Sequence, residues 1–195
     1  METTTLSFRN FHSHGELFTD ILRARRQSFI VQRKWDLPEV DGMEFDQYDT
    51  PQSRWIAVHR FGEILAGIRM TPTTARCGIY TYMIRDAQRG LLDSIPTDLL
   101  YGDAPVSEHV WEASRVFISH HVPSSDRMKV QAKLMEQMVK TAREEGATQI
   151  IGLCPRAWMR WMRRLGYQTK HVGPCLDIGG SENQAILMQL QSNLH

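Results

Sequence analysis

Residues 130–166, VQAKLMEQMVKTAREEGATQIIGLCPRAWMRWMRRLG, decide how the chain folds. Val130, Leu134, Met138 and Ala142 recur on one i, i+4 line with Met135 and Val139 beside it, which is the apolar face of an amphipathic helix. Gly146 follows as the stop, because a helix C-terminus often needs a left-handed residue and glycine adopts one without steric cost. Ala147 to Leu153 is short and largely apolar and reads as a buried strand. Pro155 then opens a further helix and Gly166 closes it.

Toward the N-terminus, Phe18, Ile21, Leu22 and Phe29 predict a helix over Glu16 to Gln32, ending before the polar segment Arg33 to Asp41. Arg25 lies on the same line as Ile21 and Phe29, where an apolar residue is expected, and is a candidate buried cation. Trp55 to Arg60 and Glu63 to Met70 flank Phe61-Gly62 as an antiparallel hairpin, and Val110 to Ser119 is another strand. Between them, Pro72, Gly78, Gly90, Pro96, Gly102 and Pro105 imply a broken, loop-rich connection suited to shaping a substrate site. Toward the C-terminus, His171 to Leu190 reads as two strands joined through Gly179-Gly180-Ser181. The order of elements predicts an α/β fold with a mixed, mostly antiparallel central sheet flanked by helices, in a single domain over residues 1–195.

The 23 Lys+Arg nearly cancel the 22 Asp+Glu, so no global field marks a nucleic-acid or membrane-surface partner, and none is expected. METTTLSFRN lacks the profile of a signal peptide, and the apolar runs are far shorter than the roughly 20 residues that cross a bilayer, so a cytoplasmic protein is expected. Cys77, Cys154 and Cys175 form no close ligand pattern and read as reduced, small core residues. His120-His121 is assigned no metal, because neighbours on a strand point to opposite faces.

Arg25, Asp46, Asp49, Arg69, Glu112 and Arg115 fall in or beside apolar segments, and their charges sum to zero. Singly, such groups lose too much hydration on burial; as one hydrogen-bonded cluster they compensate one another and line one side of a cleft. The alternative is a set of ordinary solvated charges. Arg156, Arg160, Arg163 and Arg164 line one side of the last helix, with Trp158, Met162 and Leu165 on the other, and offer either a dock for an acidic partner or a solvated face. Met128, Met135, Met138, Met159 and Met162 are candidates for core packing or for a deformable apolar tunnel.

Four pieces in register resemble the acyl-homoserine-lactone synthases: Arg25-x-x-x-Phe29 with Trp35; Glu44-Phe45-Asp46-Gln47-Tyr48-Asp49; Arg69-Met70-Thr71-Pro72-Thr73-Thr74; and Trp111-Glu112-Ala113-Ser114-Arg115. The resemblance implies a GNAT-like fold and an acyltransferase that joins a carrier-bound fatty acyl group to the amine of S-adenosylmethionine, a substrate rather than a cofactor, releasing a lactone used in quorum sensing. It makes Arg25, Phe29, Trp35, Asp46, Asp49 and Arg69 substrate-binding residues, with Phe29 and Trp35 an aromatic wall for the sulfonium. Glu112 and Arg115 become the catalytic pair. In the implied reaction the amine attacks the acyl thioester, and the carboxylate then attacks its own γ-carbon to expel 5′-methylthioadenosine. The amine must first lose a proton, for which Glu112 is the best-placed carboxylate, unless it serves only to pair with Arg69 or Arg115.

The chain departs from the family pattern in three ways. No Phe occurs in Tyr82 to Gln88, Arg76 to Thr81 reads as a short insertion, and Leu153-Cys154-Pro155 replaces the Thr that tends to accompany 3-oxo products. In GNAT enzymes that use coenzyme A, a Gly-rich turn cradles the pyrophosphate, whereas SHHVPSSDRMK at 119–129 has no glycine. That points to acyl carrier protein as the donor and to the arginines of the last helix as its dock. A related N-acyl amino acid synthase and a non-catalytic ligand sensor of the same fold are the alternatives. Finally, Glu112 and Arg115 are three apart, so a shared site requires an irregular strand, and a β-bulge at Ala113 or Ser114 is predicted.

Overall fold

The computed structural model describes residues 1–190. In chain order the elements are β1 (Glu2–Leu6), α1 (Leu17–Arg26) continued by a π-helical turn (Gln27–Gln32), β2 (Glu39–Val40), β3 (Met43–Glu44), β4 (Arg54–Arg60), β5 (Glu63–Pro72), α2 (Met83–Gln88), β6 (Val110–Ile118), α3 (Ser124–Glu144), β7 (Gln149–Pro155), α4 (Arg156–Arg164), β8 (Gln168–Ile178) and β9 (Ser181–Gln189). The main sheet is ordered β1-β4-β5-β6-β7-β9-β8, and β2 and β3 form a separate two-stranded ribbon. The β1·β4, β4·β5, β7·β9 and β8·β9 pairs are antiparallel and β6·β7 is parallel, which is the mixed, mostly antiparallel sheet expected. The described residues fall into two compact units, 1–70 with 115–141 and 71–114 with 142–190.

In the first unit α1 buries Leu17, Ile21, Leu22 and Arg25, and the core gathers Leu6, Ile21, Leu22, Phe29, Trp55 and Phe117. The helix does not run regularly to Gln32 as predicted. Its last six residues widen into a π-helix, a form found mostly as single turns at functional sites. The β4–β5 hairpin turns through Phe61 and Gly62, both at positive φ as a type I′ turn requires, with the Phe61 side chain in solvent.

In the second unit β7 and β9 carry buried Ile150, Ile151, Ala185, Ile186 and Met188, and α4 buries Met159 and Met162. Leu165, expected on the apolar side of α4, is exposed; Met159 takes that place, one helical turn before Met162 and Arg163. Strand β8 changes register between His171 and Cys175, where Tyr101 N–H donates to Val172 O at 2.9 Å. A Cβ on Gly173 would lie 1.8 Å from Leu99 O, so only glycine lets the 99–101 segment pass this close.

Some placements differ from expectation. Met128 is 69% exposed on α3 and lines no apolar space, while Met135, Met138, Met159 and Met162 are buried. Cys77 and Cys175 are exposed and Cys154 is half-buried, so none is a fully buried core residue; burial pushes the Cys154 thiol up to about 12. His120 and His121 sit in a turn after β6 with ring centroids 3.7 Å apart, not on opposite faces of a strand. Among the described residues no group of three or more His, Cys, Asp or Glu is placed to hold a metal ion, and no helix is long and apolar enough to cross a membrane.

Candidate active site

Five of the six predicted charges meet in the first unit. Arg25, displayed on the buried face of α1, forks onto Asp49 with Nη1 2.7 Å from Oδ1 and Nη2 2.9 Å from Oδ2, while its Nε donates to Glu44. Arg69, from β5, donates to Asp46 and lies 3.2 Å from Asp49. Arg115, from β6, donates from Nε to Glu44 at 3.0 Å and from Nη2 to Asp46 at 2.8 Å. Trp55 Nε1–H and the Asp46 backbone N–H complete the shell of Asp49, at 2.7 and 2.9 Å. Three guanidiniums and three carboxylates are thus neutral together, and Arg25 and Arg69 are essentially fully buried. A bidentate, charge-assisted fork of this kind is what makes such burial sustainable.

The third carboxylate of this set is Glu44, which pairs with both Arg25 and Arg115. Glu44 and Asp46 are two residues apart in extended backbone leaving β3, a spacing that sends both side chains to one side, and both reach Arg115. The i, i+2 spacing of Glu44 and Asp46 is the sequence signal for this pairing. Burial works against the charge on Asp49, yet the Arg69 and Arg25 guanidiniums and the Arg25 hydrogen bond hold its pKa well below the usual carboxylate range. Burial likewise opposes the charge on Arg25, but Asp49 and Glu44 leave its pKa above the ordinary value.

Phe29 and Trp35 stack on one another, with centroids 5.2 Å apart and planes inclined by 18°. The π-helical turn brings this about: Trp35 N–H donates to Phe29 O at 3.0 Å and Lys34 takes φ 59°, folding the chain back. Phe29 is buried, Trp35 is 37% exposed, and the Arg115 guanidinium lies 5.8 Å from the Phe29 ring.

In the second unit the fully buried Glu112 accepts hydrogen bonds from Met83 N–H at 3.2 Å and Ile84 N–H at 2.7 Å. These are first-turn donors of α2, which have no partner inside the helix and favour a negative charge. Tyr82, just before α2, donates to Pro105 O at 2.5 Å, and burial, with the Glu112 charge adding to it, raises its pKa.

A family model described as autoinducer synthase matches residues 9–194. An acyl-homoserine-lactone synthase of Ralstonia nicotianae is 32% identical over 163 residues, covering 80% of this chain and 74% of that protein. This chain belongs to the autoinducer synthase family. Among solved structures, TofI in a ternary complex with an inhibitor and MTA is 26% identical with a TM-score of 0.78, covering 98% of this chain and 92% of that one. MesI, described as a CoA-dependent acyl-homoserine lactone synthase, shares the fold with a TM-score of 0.80 at 20% identity, over 97% of this chain and 89% of that one.

The autoinducer synthase signature therefore coincides with a built charge cluster, and the chain is an acyltransferase by that membership. Strand β6 is irregular at Arg115, which takes φ 53° one residue after the predicted bulge positions Ala113 and Ser114. A left-handed arginine costs about 1–2 kcal/mol, and the ion pairs to Glu44 and Asp46 hold it there. The ladder to β7 ends at Ala113 opposite Gly152. On α4, Arg156, Arg160, Arg163 and Arg164 are all exposed, and the first three line an open cleft of about 780 Å³ with His171 and Glu182.

Proposed function

We propose that the chain acts as one acyltransferase domain, a cytoplasmic acyl-homoserine-lactone synthase that moves a fatty acyl group from acyl carrier protein to the amine of S-adenosylmethionine and closes the lactone with release of 5′-methylthioadenosine. The neutral buried cluster carries this reading. S-adenosylmethionine presents an ammonium, a carboxylate and a sulfonium together, and a fixed set of both signs suits such a ligand better than a patch of either sign. Arg25, Asp46, Asp49 and Arg69 hold it, with Phe29 and Trp35 offering ring faces to the sulfonium.

Glu112 takes the amine proton, directly or through a water, and hydrogen bonds from the first turn of α2 orient its carboxylate. Arg115 fixes Glu44 and Asp46, and backbone N–H groups of β6 are the proposed donors to the thioester oxyanion. Ring closure then needs positioning more than chemistry, since carboxylate, γ-carbon and leaving group belong to one bound molecule.

The glycine-free 119–129 segment and the exposed α4 arginines favour an acidic carrier as donor over coenzyme A. Mass spectrometry of culture extract from a bacterial host expressing the chain tests the whole reading. An acyl-homoserine lactone supports it; an acylated amino acid without methylthioadenosine indicates the related N-acyl amino acid synthase; no acyl product indicates a ligand sensor. Parallel assays with acyl carrier protein and coenzyme A thioesters assign the donor.

A further inference from the structure

The Phe29–Trp35 pair already carries a cation. The Arg33 guanidinium carbon lies 4.8 Å from the Phe29 centroid and 5.2 Å from the Trp35 centroid, inside the roughly 6 Å range of cation–π attraction and nearly equidistant from both. Its backbone closes the π-helical turn at φ −87°, ψ −9°, followed by the left-handed Lys34 that folds Trp35 back, so the same turn that builds the stack delivers Arg33 to it. The other arginines near these rings and in the cluster are tied to carboxylates: Arg115, also near Phe29, is held by Glu44 and Asp46. Among the described residues Arg33 forms no ion pair, and its side chain is exposed. Only the rings hold it.

We propose that Arg33 is a built-in competitor of the cationic substrate, resting on the aromatic platform until a sulfonium displaces it and returning when the sulfonium has become a neutral thioether. The inference rests on Phe29 and Trp35 receiving S-adenosylmethionine. A sulfonium and a guanidinium are drawn to the ring face by the same quadrupole, so binding one costs the contact of the other. The thioether of 5′-methylthioadenosine has no charge with which to displace Arg33. The arrangement therefore weakens substrate binding somewhat and favours departure of the spent product, which makes Arg33 a residue that sets the discrimination between the two.

Calorimetric titration of the full chain with S-adenosylmethionine and, separately, with 5′-methylthioadenosine tests this without any acyl donor. Arg33→Gln is expected to bind S-adenosylmethionine about two- to five-fold more tightly, the change that a surface cation–π contact corresponds to, with methylthioadenosine affinity little altered. Arg33→Lys, which keeps the charge, should remain near the parent. Unchanged or weaker S-adenosylmethionine binding in Arg33→Gln overturns the proposal, and equal tightening of both ligands does so too, because it would indicate relief of crowding rather than of charge competition. Trp35→Leu separates the two levels. If it weakens S-adenosylmethionine binding while Arg33→Gln changes nothing, the platform stands and the competitor does not; if neither variant matters, the platform reading itself fails.

Discussion

Two of the places where arginines meet carboxylates in this molecule differ in their physical consequences. In the Arg25–Glu44–Asp46–Asp49–Arg69–Arg115 cluster every acid accepts from at least two donors and the side chains are at most 10% exposed. On α4, Arg156 and Glu182 approach only to 4.0 Å, and both are about two-thirds exposed. Buried charges with no water to fall back on are expensive to break apart, whereas exposed ones are screened and re-solvated at little cost. The first set can hold a geometry. The second can only bias an encounter.

The largest effect is expected at Asp49. Asp49→Asn keeps the shape but leaves Arg25, Arg69 and Trp55 facing a neutral group, and breaking a buried ion cluster in this way typically costs about 3–5 kcal/mol. Denaturant unfolding of the variant reads this as a lowered midpoint at constant slope. A midpoint equal to that of the parent would mean the cluster does not stabilise the first unit.

The same residue sets an acid limit. The Asp49 pKa is depressed in the folded protein below its ordinary 3.8, so its contribution is fully present above that value and is lost as pH falls through the depressed folded value. Stability of the parent is expected to decline below about pH 4, with a shallower decline in Asp49→Asn. Parallel pH–stability curves for the two proteins would assign the acid limit to other groups.

The α4 arginines are expected to act on rate rather than on stability. Arg160→Ala should leave the unfolding free energy within about 0.5 kcal/mol of the parent, because the side chain is exposed. It should raise KM for carrier-bound acyl substrate severalfold at low salt, with the difference shrinking as ionic strength rises. A coenzyme A thioester assayed in parallel should show a smaller change. An unaltered KM for carrier at low salt would remove α4 as the dock.

What could be read from the sequence follows the same division. Arg25 was legible because a cation on an apolar helical line breaks a strong local pattern, and Arg115 because a shared site three residues from Glu112 demanded an irregular strand. Glu44 was legible in principle from its i, i+2 spacing to Asp46, and the β2–β3 ribbon from Asp41-Gly42, a two-residue hairpin signal whose residues both take positive φ. The engagement of Glu112 with the first turn of α2 was not legible: it joins residues 28 and 29 apart, and no local rule specifies such a partner. Nor was Leu165, which the helical pattern puts on the apolar face of α4 but which lies past the last turn of that helix, where the chain leaves it.

The smallest effect, and the sharpest contrast with Asp49, is expected at Glu182, the one acid among the residues lining the α4 cleft. Its contact with Arg156 is long and solvated, so Glu182→Gln should change stability by less than about 0.5 kcal/mol. Its effect on docking has the opposite sign to that of Arg160→Ala. Removing a negative charge from a face that meets an acidic partner removes a repulsion and frees Arg156, so KM for carrier-bound substrate should fall, by about twofold or less given screening over a Debye length of about 8 Å at physiological salt. The gain should disappear at high ionic strength, as the loss in Arg160→Ala does. Two substitutions on one cleft that move KM in opposite directions and converge with salt would identify the interaction as electrostatic. If Glu182→Gln instead lowers stability on the scale of Asp49→Asn, the α4 pair is a structural one, and the division between holding and steering arginines does not describe this protein.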